Sequence, residues 1–276
     1  MKPNYMYEMN TRQIRDIAGK TDIVFLPVGP TEVHSLHLPV GTDVESALDV
    51  CERAAVKLAG HGVETLIAPP VNYALADAVN CFFGNITLRY ETVVAVVEDV
   101  CMGLARWGFK HVVIMCGHAE PANAKALKEA AENAMKRDPS LQVEVSDWLL
   151  GSDIRPFMPC EHPEWDIHAG ESETALMLNR RPELVDTDIL QTLEPNWEGE
   201  FFFERLAAGN DFIGCRAYQL LPFKSGPAVV YGSYTQFFGV NDINYAAHMA
   251  CAFAILAASI GIVMLLCRFV FKPDVT

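Results

Sequence analysis

The chain has 276 residues, 51% of them hydrophobic, and a formal net charge of −14. That size suits one large α/β domain or two small ones, and the acidic balance argues against a nucleic-acid groove and for a soluble, acid-surfaced protein. Eight cysteines are scattered without a CxxC pair and no secretory leader is recognisable, so a reducing cytoplasm is the expected location.

Thr11–Lys20 reads as a short leading helix capped by its threonine. Asp22–Val28 (DIVFLPV) is an apolar run bounded by a Pro-Gly turn signal, which suits a buried strand. It feeds the loop Gly29–Asp43 (GPTEVHSLHLPVGTD), where Glu32, His34, His37 and Asp43 follow no helical or strand period. Asp43–Ala59 has helical spacing and is expected to stop at Gly60. Thr65–Pro70 reads as a short strand ended by prolines, followed by a loop of small and polar residues. Glu91–Trp107 is a second helix, closed by Gly108. The β-branched run His111–Cys116 is a buried strand that enters the loop GHAEPAN. Pro121–Lys136 is an Ala-rich helix with proline in its first turn, and Gln142–Trp148 is another strand.

This order predicts an α/β fold, a layered αβα sandwich with a mainly parallel central sheet. No linker, low-complexity tract or internal repeat divides the chain, so residues 1–276 are expected to form one domain. Ligands of such sheets gather where loops leave the carboxyl ends of the strands, and both histidine-bearing loops leave strands in that way. Ile243–Cys267 carries no formally charged residue. It is expected to be a buried or subunit-interface helix, within an apolar stretch 243–272. A membrane anchor is the less favoured alternative.

Three clusters carry chemistry. The first loop supplies Glu32, His34 and Asp43, and the second supplies His118 and Glu120. The third, EWDIHAGESET, holds Trp165, Asp166, His168, Glu171 and Glu173. A histidine beside a carboxylate is more often a surface pair than a ligand. Three such clusters, two of them on strand-exit loops, are harder to dismiss. Imidazole and carboxylate ligands without thiolates suit a catalytic Zn²⁺ or Mn²⁺ site. Two adjacent cations need a bridging carboxylate and can share a hydroxide as nucleophile. Glu32, His34, Asp43, His118 and Glu120 supply three carboxylates and two imidazoles for that purpose.

PVGPTEVHSLHLPVGTD resembles the signature of the creatininase (creatinine amidohydrolase) family, Glu-x-His-x-x-His-Leu-Pro followed by Thr-Asp. GHAE is similar to that family's Gly-His-x-Glu form, and HAGESETALML to its His-Ala-Gly-Glu-x-Glu-Thr. The similarity runs from about Phe25 to Leu178. It implies a creatininase-like layered fold with two divalent metal ions, Zn or Mn, per subunit, in a homo-oligomer that is often a hexamer. By motif position the metal ligands are Glu32, His34, Asp43, His118 and Glu120, with Asp43 bridging and Glu171 the alternative to Glu120. His168 becomes the proton shuttle. Trp148 and Trp165 stand where pocket walls are expected, and Asn123 is the candidate pocket amide.

The chain departs from the family pattern at Val33-His34-Ser35-Leu36-His37, where Gln-His-Gly-Pro-His is usual, and at Pro121-Ala122-Asn123. His37 is expected to orient a ligand, and Glu173 and Thr174 to cap a helix. The implied reaction is hydrolysis of a C–N bond in a small polar amide, first of all a cyclic one, by a metal-bridging hydroxide. The alternatives are another small ring or a formamide, a keto-inositol included, and a non-catalytic metal-binding assembly subunit.

Overall fold

A computed structural model describes residues 3–80, 83–147 and 168–191. Five strands form one all-parallel sheet: β1 (Asn4–Tyr5), β2 (Ile23–Val28), β3 (Leu66–Ile67), β4 (His111–Cys116) and β5 (Gln142–Asp147), in the order β1-β3-β2-β4-β5. The central pair runs in register from Ile23 beside His111 to Val28 beside Cys116. Every residue of β2 is buried, as expected of a parallel strand covered on both faces. Helices α1 (Thr11–Ala18), α3 (Tyr90–Arg106) and α4 (Pro121–Arg137) supply Ile17, Val97 and Ala130 to one face, against Val24, Leu26 and Ile114. Helices α2 (Thr42–Gly60) and α5 (Glu171–Arg180) cover the other, where Ala47, Val50 and Met177 meet Phe25, Val113 and Met115. A short helix α6 (Thr187–Leu190) follows. The layered α/β expectation holds.

Local details differ from the sequence reading. The cap of α1 is Asn10, which accepts from the Gln13 amide and donates its own amide to the Gln13 side chain, a reciprocal capping box. Helix α2 runs through Gly60. Its reversal falls at Gly62, with φ of 78°, where the left-handed backbone lets Val63 N bond Leu58 O. Gly108 closes α3 in the same way, at φ of 101°. Strand β1 lay unread because two residues are too few to show alternation. The apolar stretch 243–272, Trp148 and Trp165 lie outside the described residues. Among the described residues, no helix is long and apolar enough to cross a membrane.

The feature that positions the site is the seat of α2. Its first turn rests directly on the ends of β2 and β4, where both strands are followed by glycine. A Cβ on Gly29 would lie 2.8 Å from the Asp43 carbonyl carbon and Val44 N, and one on Gly117 would overlap the Asp43 carbonyl oxygen. Glycine is therefore required by close approach, since neither residue adopts a positive φ.

Gly117→Ala should lower the unfolding free energy by about 1–3 kcal/mol through overpacking. Gly103→Ala is the matched control: its Cβ would meet nothing nearer than the tip of Arg106, at 3.9 Å, so removing a mid-helix glycine should stabilise by about 0.5–1 kcal/mol. Urea denaturation measures both. A Gly117 variant as stable as the parent would show that the seat of α2 is loose.

Candidate metal centre

The chain builds the sheet outward in both directions from β2, to β3 on one side and β4 on the other. A crevice opens beyond the carboxyl ends at such a switch point. Four segments meet there. The loop after β2 brings Glu32 and His34, closed on itself by Glu32 N donating to Val40 O at 2.9 Å. The first turn of α2 brings Asp43, the loop after β4 brings His118 and Glu120, the approach to α5 brings His168, and the first turn of α5 brings Glu173. Glu32, His34, Asp43, His118 and Glu120 are all buried.

Asp43 stands at the centre. Its Oδ1 lies 3.1 Å from His34 Nε2 and its Oδ2 lies 3.3 Å from His118 Nδ1. The two oxygens thus face two different imidazoles. His118 Nδ1 is also 3.0 Å from Glu32 Oε2, and His34 Nε2 is 3.7 Å from Glu173 Oε1. Among the described residues Glu32, His34 and His168 bring ligand atoms within 4.8 Å of one another, and so do two further triads, Glu32–Asp43–His118 and His34–Asp43–Glu173. The latter two share Asp43.

Surrounding bonds set the rings. His34 Nδ1 donates to its neighbour Glu32 O at 3.0 Å, which turns Nε2 toward the carboxylates. His37 bonds Thr174 Oγ1 at 2.9 Å, and that hydroxyl donates to Gly170 O. His37 must therefore be the donor, and it ties the first loop to the start of α5. Burial, aided by the charge of His34, pushes His37 down to about 4 and keeps it neutral. His168 Nε2 donates to Val33 O at 2.6 Å, and its ring centroid lies 4.4 Å from that of His34. Ser35 and Ala169, each following one of these histidines, hold φ of 58° and 52°, a conformation that costs a non-glycine residue energy and is common at functional sites.

Charge is concentrated here. Burial opposes ionisation of Asp43, yet His34 and His118 hold it far below the usual carboxylate range. Burial raises Glu32 against the pull of His118. Burial likewise disfavours the charged form of both imidazoles, but Asp43 and Glu173 hold His34 well above its ordinary value, and Glu32, Asp43 and Glu120 do the same for His118. Glu32 Oε2, Asp43 Oδ2, His118 Nε2 and Glu120 Oε1 are buried without a well-formed hydrogen bond, the first two sharing the single His118 Nδ1 as their charge partner. Leaving one such atom unmet costs about 1–3 kcal/mol, more for charged groups, so four of them in one crevice call for a cation. The donor set of oxygen and imidazole nitrogen fits Zn²⁺ or Mn²⁺. When ionised, Glu32, Asp43, Glu120 and Glu173 carry a charge that two divalent cations would balance.

The expected site residues fare differently. Glu32, His34, Asp43 and His118 converge. Glu120 stands apart from both triads: it faces the other nitrogen of His118, Nε2 at 3.5 Å, and accepts from Ala78 N at 3.3 Å. The carboxylate beside His34 is Glu173, whose place at the start of a helix also suits a cap. Glu173 does accept from Ala169 N, but it also reaches the centre, a distinction that sequence alone does not carry. The Glu171 side chain lies outside the described residues. Asn123 is fully buried, its amide engaged with Leu75 N at 3.3 Å and Cys116 Sγ at 3.6 Å. It braces the chain at Leu75 against the end of β4.

Residues 7–210 match the creatininase family, described as creatinine amidohydrolase. The chain is 32% identical to a creatinine amidohydrolase of Pseudomonas putida over 187 residues, 62% of this chain and 69% of that protein. It is 27% identical to a mycofactocin precursor peptide peptidase of Mycolicibacterium smegmatis over 183 residues, covering 66% and 67%. It is 25% identical to a 3-dehydro-scyllo-inosose hydrolase of Thermotoga maritima over 117 residues, covering 42% and 36%. Among solved structures, a manganese creatininase superposes with a TM-score of 0.71 at 23% identity over 99% of this chain and 100% of that one. A mutant creatininase of Zn-Zn type gives 0.68 at 22% identity over the same shares. At that identity the structures speak for the fold alone.

The surrounding carboxylates favour the protonated form of His34 and His118, so a cation at this centre competes with protons. Zinc binding should therefore release protons, and apparent affinity should fall as pH is lowered from about 8 to about 6. Calorimetric titration in buffers of different ionisation enthalpy reads the proton count directly. Binding that is independent of pH and releases no proton would contradict this electrostatic description.

Proposed function

The chain belongs to the creatininase family, and from that premise we propose that it is a binuclear metal hydrolase cleaving a C–N bond in a small polar amide, a cyclic one first. The observation that carries this reading is the pair of triads sharing Asp43, one oxygen to each imidazole. Glu32, Asp43 and His118 would hold one cation, and His34, Asp43 and Glu173 the other. Glu120, at Nε2 of His118, would turn that ring's Nδ1 toward the pair. Cations held there would supply a more acidic bound water and a Lewis acid for the scissile carbonyl.

The remaining work falls to the chain's own groups. Val33 O fixes the proton of His168 on Nε2, which leaves Nδ1 as the nitrogen that exchanges protons. From there His168 would pass a proton to the leaving nitrogen, a contribution of roughly 10²–10⁴-fold. His37 and Thr174 hold the first loop against α5 and keep the triads in register. The same reading takes residues 1–276 as one domain, assembled as a homo-oligomer in the cytoplasm.

A second reading keeps the centre and changes the substrate. It rests on the relatives that act on a precursor peptide and on an inosose, and a panel of cyclic amides, formamides, short peptides and cyclic ketones separates the two. A non-catalytic metal subunit is the third option.

Metal analysis of protein expressed with zinc and manganese should find about two ions per chain in the wild type. His34→Ala and Asp43→Ala should lose them. His168→Ala should keep both ions while turnover on the best panel substrate drops by about 10²-fold or more. A wild-type protein free of metal would sink the proposal, and full turnover by the His168 variant would remove its proton role.

A further inference from the structure

Helices α2 and α5 carry the two carboxylates of one triad, Asp43 and Glu173, so their alignment decides whether that triad exists. Apolar packing brings the helices together through Ala47, Val50, Ala175 and Leu178. Such contacts are non-directional and fix the register of the helices less sharply than hydrogen bonds do, one of which runs from Arg53 Nη2 to Asn179 Oδ1 at 2.9 Å. A directional lock lies on the same interface. Arg180, the last residue of α5, donates from Nε to Glu45 Oε2 at 2.7 Å, and from both terminal nitrogens to the two oxygens of Glu52, at 2.6 and 2.8 Å. Asp49 Oδ1 stands 3.6 Å from the same guanidinium. Glu45, Asp49 and Glu52 lie along one stripe of α2, at spacings of four and three residues.

The guanidinium is largely buried, with 14% of the side chain exposed. A bidentate pair removed from water is stronger and more orienting than a surface ion pair. Glu173 precedes Arg180 by seven residues, two helical turns, so both leave α5 on the same side. Glu45 belongs to the first turn of α2, as Asp43 does. The carboxylates of the triad therefore lie at the start of both helices, and the lock runs from that same first turn of α2 along to Glu52. Arg181 adds a bond from Nη1 to Glu45 Oε1 at 2.9 Å, but from a more exposed position.

We infer that Arg180 is a positioning residue for one cation site only: by fixing the register of α5 along α2 it places Glu173 opposite His34 and Asp43, and it leaves the Glu32–Asp43–His118 site untouched. This rests on the two-cation reading above. The selectivity follows from topology, because the second triad draws its ligands from the loops after β2 and β4 and from α2, with none from α5.

The test is a titration of the full-length metal-free protein with Mn²⁺, read by calorimetry and by electron paramagnetic resonance. Wild type should bind two ions and show the spectrum of a coupled pair. Arg180→Met should bind the first ion with wild-type affinity and the second about 10–100-fold more weakly, as for other residues that orient a ligand, with the coupled signal lost at one equivalent above the first. Arg180→Lys, a point charge without the fork, should recover part of the second affinity. Should Arg180→Met fold poorly, Glu52→Gln removes one charge of the lock without changing its shape and should shift the second ion alone. Two ions bound with unchanged affinities in Arg180→Met would overturn the inference by itself, as would equal weakening of both sites. A wild-type protein binding fewer than two ions would overturn it together with the reading beneath it.

Discussion

Asp43 reaches the centre of the crevice because two neighbouring strands end without a side chain. Gly29 and Gly117 clear the space that the backbone of Asp43 occupies, so helix α2 starts closer to the sheet than any other residue pair there would permit. Once that turn is seated, its carboxylate has nowhere to go except between the loops that the same strands send out. His34 arrives from β2 and His118 from β4, and they take one oxygen each. The parallel register of β2 and β4 makes this possible. A shift of one residue in either strand would bring the glycines out of line and move one imbalance of charge away from the other.

The sandwich around the crevice is apolar and closely packed, and the crevice itself is its opposite. Four carboxylates and several imidazoles are buried close together, with carboxylate oxygens and a ring nitrogen left without a well-formed hydrogen bond. An isolated buried charge is costly unless paired or metal-bound, and here the imidazoles offset the carboxylates only in part. A protein built for stability alone would fill such a place with aliphatic side chains. Sites where local rules are broken while the rest of the fold obeys them are where function is to be sought. The left-handed backbone at Ser35 and Ala169, both beside histidines of the site, belongs to the same pattern.

Much of this was legible in the residues. The runs Ile23–Val28 and His111–Cys116 announce buried strands through their β-branched, unbroken hydrophobicity, and the helices follow from apolar spacing. The parallel order and the carboxyl-edge location of the site follow from those elements. Four of the five expected ligands, Glu32, His34, Asp43 and His118, do converge. What stayed hidden depends on three-dimensional direction. Glu173 at the start of α5 has the same local look whether it bonds the backbone of Ala169 or faces His34, and it does both. Glu120 is two residues from His118 in the chain, but which ring nitrogen it meets is set by the turn into α4. Asn123 is the pocket amide by motif position, and the bonds that its side chain makes to Leu75 and Cys116 follow from its seat in α4, which a motif does not show. Gly29 and Gly117 could be read as turn formers. That they are spacers for a distant helix could not, because the contact joins residues far apart in sequence.

The most direct measurement is anomalous diffraction from crystals of the protein grown with Zn²⁺. The account predicts two peaks flanking Asp43, one at each carboxylate oxygen at about 2.0–2.2 Å, with His118 and Glu32 on one side and His34 and Glu173 on the other. A single peak, or density that leaves Asp43 out of contact with either ion, would contradict it.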